Sequence, residues 1–359
     1  MIKSAYIHIP FCETICAYCD FCKFYYQKEW VSPYLKALKK EIETSYQNEV
    51  LDTLYVGGGT PSSLSLEELK ELLEILKQFR MSKHIEYTME CNIENLTKEK
   101  LMLMKEYGVN RLSIGVQTFQ KDALKLIERN HTKEEVFEKM KWAKEIGFTN
   151  INVDLMYALP KETIQDLKND LDIFLKLDIP HISTYSLIIE PHTKFSNLKP
   201  ISEDLDYEMY QLIEHTLEKK GYDHYETSNY GKKGYFSKHN LTYWNNEEYY
   251  GFGVGASGYV RGVRYDNTRN LTAYLKENFI KESHELGKLE TMQNEMILGL
   301  RKLKGVSKKK FFQKYKEEIE DVFDIKEPLK NGMLVFKNGY YYIPKKYQYV
   351  ANEVLVYFI

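Results

Sequence analysis

Four of the chain's five cysteines crowd into one short stretch, at Cys12, Cys16, Cys19 and Cys22, and the fifth, Cys91, stands far away. The first three have the spacing C-x3-C-x2-C. A disulfide framework would spread an even number of cysteines over a small secreted domain. Structural zinc usually takes two separated ligand pairs, and no second Cys/His pair with that spacing follows. A third reading, favoured here, is an iron–sulfur cluster. Three cysteines on one tight loop can bind three irons of a cubane and leave the fourth iron for another ligand. Cys22 lies outside the three-cysteine pattern and reads as a small buried thiol rather than a fourth ligand.

Other stretches also carry chemistry. Gly57-Gly58-Gly59-Thr60-Pro61 is long for a plain strand end. Glycines let backbone N–H and C=O groups approach a ligand closely, and a tight turn is the equal alternative. The run is neither a G-x-G-x-x-G fingerprint nor a P-loop, since no Gly-Lys-Ser/Thr follows. Glu90, Gln117, Arg129 and Asp154 are polar residues in or near otherwise apolar runs, where an unpartnered buried carboxylate is costly. They read either as ion pairs and caps inside the fold, with Arg111 a candidate counter-charge, or as groups that hydrogen-bond a ligand. Far downstream, HNLTYW at 239–244 joins the imidazole of His239 to the flat faces of Tyr243 and Trp244. A neutral imidazole is a standard axial ligand of heme iron. An isolated histidine, however, is more often a satisfied structural residue.

These residues need a frame. The apolar run 5–10 leads straight into the cysteines and predicts a buried strand. Similar runs predict strands at 53–56, 85–90, 111–115, 151–155 and 182–187. Ser32-Pro33 predicts the start of a helix reaching about residue 47. Ser65 with Glu68 forms a capping box, with Leu64 and Leu69 as a staple, and Leu66, Leu69, Leu73 and Leu76 are expected to point inward. Thr97 caps a helix that stops at Gly108. Thr132 with Glu135 opens another that ends before Gly147. Thr163 begins the next, and the last covers about 203–219, before Gly221.

Six strand–helix units in a row predict parallel strands joined by right-handed crossovers. Six are too few for a closed eight-fold barrel, so the expected fold is α/β, a partial (β/α)6 barrel. The unusual polar and glycine motifs fall at or just after strand C-terminal ends, where such folds carry their active sites. Residues 222–263 read as loops and short strands. Residues 290–303 and 307–320 read as helices, and 334–336 with 340–343, joined through Asn338-Gly339, as a hairpin. The chain is therefore divided into a barrel at 1–221 and a region at 222–359. The second region holds the histidine motif and a smaller α+β, winged-helix-like C-terminal module.

The cysteine spacing resembles the radical S-adenosylmethionine (SAM) superfamily. YIHIPFC, GGGTPS, GVNRLSIGVQTF at 108–119, NVDLMYALP at 152–160 and YETSNYGKKGYFSKHNLTYW at 225–244 together resemble one branch of it, over about residues 5–260. That branch holds the oxygen-independent coproporphyrinogen III oxidases and the heme chaperones of the HemW family. Three features favour the chaperone family. The chain begins at its first strand, Cys22 follows Cys19 at x2, and HNLTYW matches the family's HNxxYW heme-binding signature. By that resemblance Cys12, Cys16 and Cys19 ligate a 4Fe-4S cluster. SAM is held by Tyr6, Tyr18, Gly58, Gly59, Thr60, Glu90, Gln117, Arg129 and Asp154. Heme is held by His239, Tyr243 and Trp244 and is passed to a respiratory hemoprotein acceptor. The resemblance also leaves room for an electron donor, peripheral membrane association and a homodimer, and for slow cleavage of SAM to a 5′-deoxyadenosyl radical. The alternative function is coproporphyrinogen oxidation. Ile93, Ala158 and Ser257 stand where the family usually has proline, glycine and histidine.

Composition narrows the partners. A net charge of −2 gives no electrostatic reason to expect nucleic acid. Hydrophobic residues at 43 % and charged residues at 28 % mark a globular chain. No apolar run is long enough to predict a transmembrane helix. The N-terminus enters a strand with no room for a targeting peptide, so the clustered free cysteines point to the reducing cytoplasm.

Overall fold

Local signals set most of the helices in the computed structural model, which describes residues 1–359. Six parallel strands run in chain order: β1 (Ser4–Ile9), β2 (Leu51–Gly58), β3 (Met81–Asn92), β4 (Arg111–Gln117), β5 (Asn150–Tyr157) and β6 (His181–Ser186). Between and after them lie helices α1 (Lys28–Ser45), α2 (Leu66–Leu76), α3 (Lys98–Glu106), α4 (Lys133–Glu145), α5 (Ile164–Lys176) and α6 (Glu203–Lys219). Capping boxes close the N-termini of α2 at Ser65 and Glu68, α4 at Thr132 and Glu135, and α5 at Thr163 and Asp166. Each satisfies orphan N–H groups of a first turn.

Two local expectations fail for packing reasons. α1 begins at Lys28, one turn before the expected cap, so Ser32 and Pro33 lie inside it. Val31 is fully buried and Trp30 packs edge-on against Phe24, and that burial outweighs a proline's lost N–H. Leu66 is exposed; the buried face of α2 is Leu69, Leu72, Leu73, Ile75 and Leu76.

Neighbouring strands in the sheet are also neighbours in sequence, β1 through β6. Right-handed crossovers between strands taken in unbroken order put every helix on the same face, which is the wrapping of a barrel. A doubly wound sheet would reverse its order partway. The sheet does not close. Three strands from beyond residue 221 extend it: β7 (Asp223–Glu226) and β8 (Asn229–Gly231) at the β6 edge, and β9 (Tyr250–Phe252) parallel to β1 at the other. Between β8 and β9 lies α7 (Lys238–Trp244), where loops and strands were expected.

The division drawn at 221/222 therefore does not coincide with the division of cores. One core of 58 buried residues runs to Tyr274, whereas a second of 15 spans Met292 to Phe358. That second core belongs to helices Lys288–Gly299 and Lys308–Tyr315 and to a hairpin, Val335–Lys337 with Tyr340–Tyr342. Asn338 and Gly339 turn the hairpin with φ of 53° and 81°, the pair a tight two-residue turn demands. Strand Val306–Ser307 pairs with its second arm.

Candidate functional site

The polypeptide leaving β1 is pinned before it carries a thiol outward. Phe11–Cys12 pairs in parallel with Phe24–Tyr25, which closes residues 13–23 into a loop. Ala17 is the loop's apolar anchor, buried with Leu124, Ile127, Met156, Leu159 and Phe195. Its N–H donates to the Ile127 carbonyl at 3.4 Å, and its own carbonyl accepts from Lys194 N–H at 3.1 Å. The flanking Cys16, Tyr18 and Cys19 are thus held at a cavity of about 490 Å³, which Cys12 also lines. Cys12 is buried, and burial pushes its thiol up to about 12. It stays protonated at neutral pH unless positive charge is brought to the sulfur, which is what a metal does. No three His, Cys, Asp or Glu side chains converge on a single metal position. Cys22 is not among the cavity residues; its thiol lies 3.8 Å from the Arg269 carbonyl, so it packs rather than faces the cavity.

The glycine run is explained by what stands against it. A Cβ at Gly57 would lie 2.6 Å from the Glu90 carboxyl carbon, and one at Gly58 would lie 2.6 Å from the His8 ring. At Gly59 it would meet the Pro10 backbone at 2.7 Å and the Cys12 sulfur at 3.0 Å. Gly58 also has a φ of +114°, which side chains rarely adopt. Gly58, Gly59 and Thr60 line the cavity, and Thr60 Oγ1 is 3.6 Å from Cys12 Sγ.

The polar wall follows from a period of two. Interior-facing positions alternate along each strand: Tyr6 and His8; Thr53 and Tyr55; Glu86, Thr88 and Glu90; Arg111 and Ser113; Asn152 and Asp154; His181, Ser183 and Tyr185. Registry sets Glu90 beside Ser113, Ser113 beside Asn152 and Asn152 beside His181. Glu90 accepts from the Tyr55 hydroxyl at 2.7 Å and from Gly58 N–H at 3.0 Å. Burial raises its carboxyl to about 7, and the charge of Asp154 adds to the rise. Asp154 accepts from Asn152 Nδ2 at 2.8 Å and is raised by burial to about 6.

Arg129 is clamped by Glu94 through bonds of 2.9 and 3.0 Å and donates to Asn92 Oδ1 at 3.0 Å and the Gly115 carbonyl at 2.7 Å. Its Nη1 also reaches within 4.0 Å of Cys16 Sγ. Burial would raise Glu94, but His131 and the Arg129 charge outweigh it and hold the carboxyl near 2. Gln117 has a φ of 71°, and its buried Oε1 has no partner; Arg111 Nε is likewise buried and unpaired. Both face the cavity. Buried polar atoms without partners, beside two carboxyls raised toward neutrality, make a site ready for a polar ligand that both donates and accepts hydrogen bonds.

The structure brings Tyr18, Gly58, Gly59, Thr60, Glu90, Gln117, Arg129 and Asp154 to the same cavity as the three cysteines. Tyr6 is not there. It stands behind Tyr55, ring centroids 6.1 Å apart, and its hydroxyl bonds His8 Nδ1 at 3.0 Å. Tyr55, Asn92, Asn152 and Asn240 also line the cavity and were not singled out from the sequence. The two-residue alternation of polar side chains was the signal that marks the first and third of these.

HNLTYW lies on α7, inside the fold. His239 is 1 % exposed. Its Nδ1 is 2.7 Å from Thr53 Oγ1 and its Nε2 is 2.7 Å from the Tyr243 hydroxyl. Burial drives its pKa down to about 3, so the ring is neutral. Axial ligation needs an open ring nitrogen, and in this conformation neither is open. Trp244 is half-buried with Arg301 over its ring at 5.8 Å. The expected heme residues are therefore adjacent to one another but do not form an open pocket.

Comparison with known proteins accords with this geometry. The family model of the radical SAM superfamily matches residues 6–174. The heme chaperone HemW of Bacillus subtilis (strain 168) is 42 % identical, with 98 % of each chain covered. That of Lactococcus lactis is 45 % identical over 89 % of this chain and 87 % of the relative, and that of Escherichia coli (strain K12) is 31 % identical over 99 % and 98 %. The solved structure of coproporphyrinogen III oxidase (HemN) from Escherichia coli, a radical SAM enzyme, covers 99 % of this chain and 90 % of its own, with a TM-score of 0.89. At 22 % identity that likeness is one of fold. The chain belongs to the HemW heme chaperone family of radical SAM proteins.

Proposed function

We propose that this protein is a heme chaperone that holds a 4Fe-4S cluster and SAM, takes heme as cargo and passes it to an acceptor hemoprotein. The observation that carries the cofactor part is the single cavity shared by Cys12, Cys16 and Cys19 with Glu90, Gln117, Arg129 and Asp154. Three thiols on one cavity, with no second Cys/His pair of ligand spacing in the chain, suit a cubane whose fourth iron takes another ligand better than a four-ligand zinc site. The cluster, when bound, supplies one-electron chemistry and an open iron for a further ligand. Glu90 and Asp154 suit the amino and hydroxyl groups of SAM, and Gln117 and Arg111 offer unpaired polar atoms. The relatives' name supports heme as cargo. His239, Tyr243 and Trp244 are the proposed heme residues, and ligation from His239 Nε2 takes the place of its bond to Tyr243.

Anaerobic reconstitution followed by heme titration with and without SAM tests this reading. Stoichiometric heme binding to the reconstituted protein is expected. Efficient anaerobic decarboxylation of coproporphyrinogen, given reductant and SAM, would instead make the protein an oxidase.

A further inference from the structure

The HNLTYW helix makes a set of contacts inside the fold that heme binding does not account for. α7 plugs the N-terminal end of the first three strands. Ser4, Thr53 and Glu86 occupy matching register positions on β1, β2 and β3, and all three are buried. Each holds α7. Ser4 Oγ lies 2.9 Å from Thr242 Oγ1 and Thr53 Oγ1 2.7 Å from His239 Nδ1. Glu86 accepts from the Lys238 and His239 N–H groups at 3.2 and 3.1 Å. A carboxylate on a helix's first N–H groups is favoured by both bonding and dipole. The next residue of the motif, Asn240, reaches the cavity itself.

One layer above, the His239 ring stacks on Tyr55, centroids 5.0 Å apart and planes at 27°. Tyr55 also meets Tyr6, its register partner on β1, with ring centroids 6.1 Å apart. The Tyr55 hydroxyl donates to Glu90 Oε1 at 2.7 Å, and the second carboxylate oxygen holds Gly58 N–H at 3.0 Å. The imidazole is fixed at both nitrogens, so it cannot slide, and it forms one wall of the slot that aims the phenol. We propose that His239 is a positioning residue for the cofactor cavity, aiming Tyr55 at Glu90 and so setting the carboxylate and the Gly58 backbone. The proposal rests on reading that cavity as the SAM site. A phenylalanine would fill the same slot but could not bridge Thr53 and Tyr243, which accounts for histidine at a position with no open nitrogen.

The test is SAM affinity by equilibrium dialysis on anaerobically reconstituted protein, with iron content and heme binding measured on the same samples. His239→Ala is expected to weaken SAM about tenfold, the size of one lost bond to a charged group. Tyr55→Phe is expected to do the same. The double variant should be no weaker than the poorer single, because the two act in series. His239→Phe should recover most of the affinity lost in His239→Ala. Both His239→Ala and Tyr55→Phe should move the pH midpoint of SAM binding upward, since Glu90 loses a donor. The groups facing Glu90 are Asp154 from β5, Arg111 from β4, Tyr185 from β6, Tyr55 from β2, Tyr6 from β1, its neighbour Cys91 and Tyr243 from α7; all keep their identity in His239→Ala, and only Tyr243 loses a partner there. Wild-type SAM affinity and pH profile in a folded His239→Ala protein would overturn the proposal, as would additive losses. If His239→Ala does not fold, Tyr55→Phe and His239→Phe decide it. An unmoved pH midpoint in Tyr55→Phe, or a full tenfold loss in His239→Phe, counts against it. A wild-type protein that binds no SAM sinks the underlying reading instead.

Discussion

The cysteine loop and the HNLTYW helix are the two most motif-dense stretches of the chain, and they use their polar groups in opposite ways. The loop turns its apolar anchor, Ala17, into a small core and leaves three thiols facing a cavity. The helix turns its His239 ring, its Thr242 hydroxyl and its first N–H groups inward, where Ser4, Thr53, Glu86 and Tyr243 satisfy them. A chemically suggestive residue is available to a ligand only where its polar atoms lack protein partners. On that measure Gln117 and Arg111, in the strands, are more available than His239.

The sharpest way to break the contrast is at the thiols. Serine at Cys12, Cys16 or Cys19 is expected to abolish iron and sulfide retention after anaerobic reconstitution, whereas Cys22→Ala should retain both. Loss of the cluster in Cys22→Ala would make the loop a four-ligand site.

Next in size is the ion pair that joins the loop to the wall. Glu94→Gln leaves Arg129 buried without its charge partner, and its cost is expected at about 3–5 kcal/mol in a denaturant titration. The pair's sign is that of a depressed carboxyl. Its stability is fully present above about pH 4 and is lost as pH falls through the folded value near 2.

Glu90 and Asp154 act in the reverse sense. Burial raises them to about 7 and about 6, so the folded, ligand-free protein holds more protons than the unfolded chain. Their contribution is present below about pH 4 and is lost as pH rises through 6 and 7. Thermal midpoints of the ligand-free protein should therefore carry a falling component across that window, and Glu90→Gln should flatten it. SAM, being cationic, should bind more tightly over the same rise. A SAM affinity flat from pH 5.5 to 8 would remove both carboxyls from the site.

On the helix side, Thr53→Val strips His239 Nδ1 of its partner. It should cost about 1–3 kcal/mol by chemical denaturation, as an orphaned buried group does. The smallest effect belongs to the most exposed apolar residue of the loop. Phe21 is 69 % exposed, so Phe21→Ser should stay within about 0.5 kcal/mol of wild type. A larger loss there would mean that the loop's apolar edge is covered by something.

Much was legible from residue order alone, because the signals are local. Caps at Ser65, Thr97, Thr132 and Thr163 and the Asn338-Gly339 turn specify backbone geometry within a few residues. Six alternating strand–helix units with right-handed crossovers then leave few arrangements. The cysteine spacing and the strand-end positions of Glu90, Gln117 and Asp154 placed most of the cavity wall as well. Tertiary structure decided what depends on partners distant in sequence. Burial of Val31 moved the start of α1, and pairing of Tyr250–Phe252 with β1 carried the sheet past residue 221. Tyr6 was turned behind Tyr55 and bonded to His8. Above all, Thr53 and Glu86, more than 150 residues before His239, determine that its ring is enclosed rather than open. The i,i+4 spacing of His239 and Tyr243 within HNLTYW allows for the bond at Nε2, but the partner of Nδ1 comes from the assembled interior, and no spacing within the motif records it.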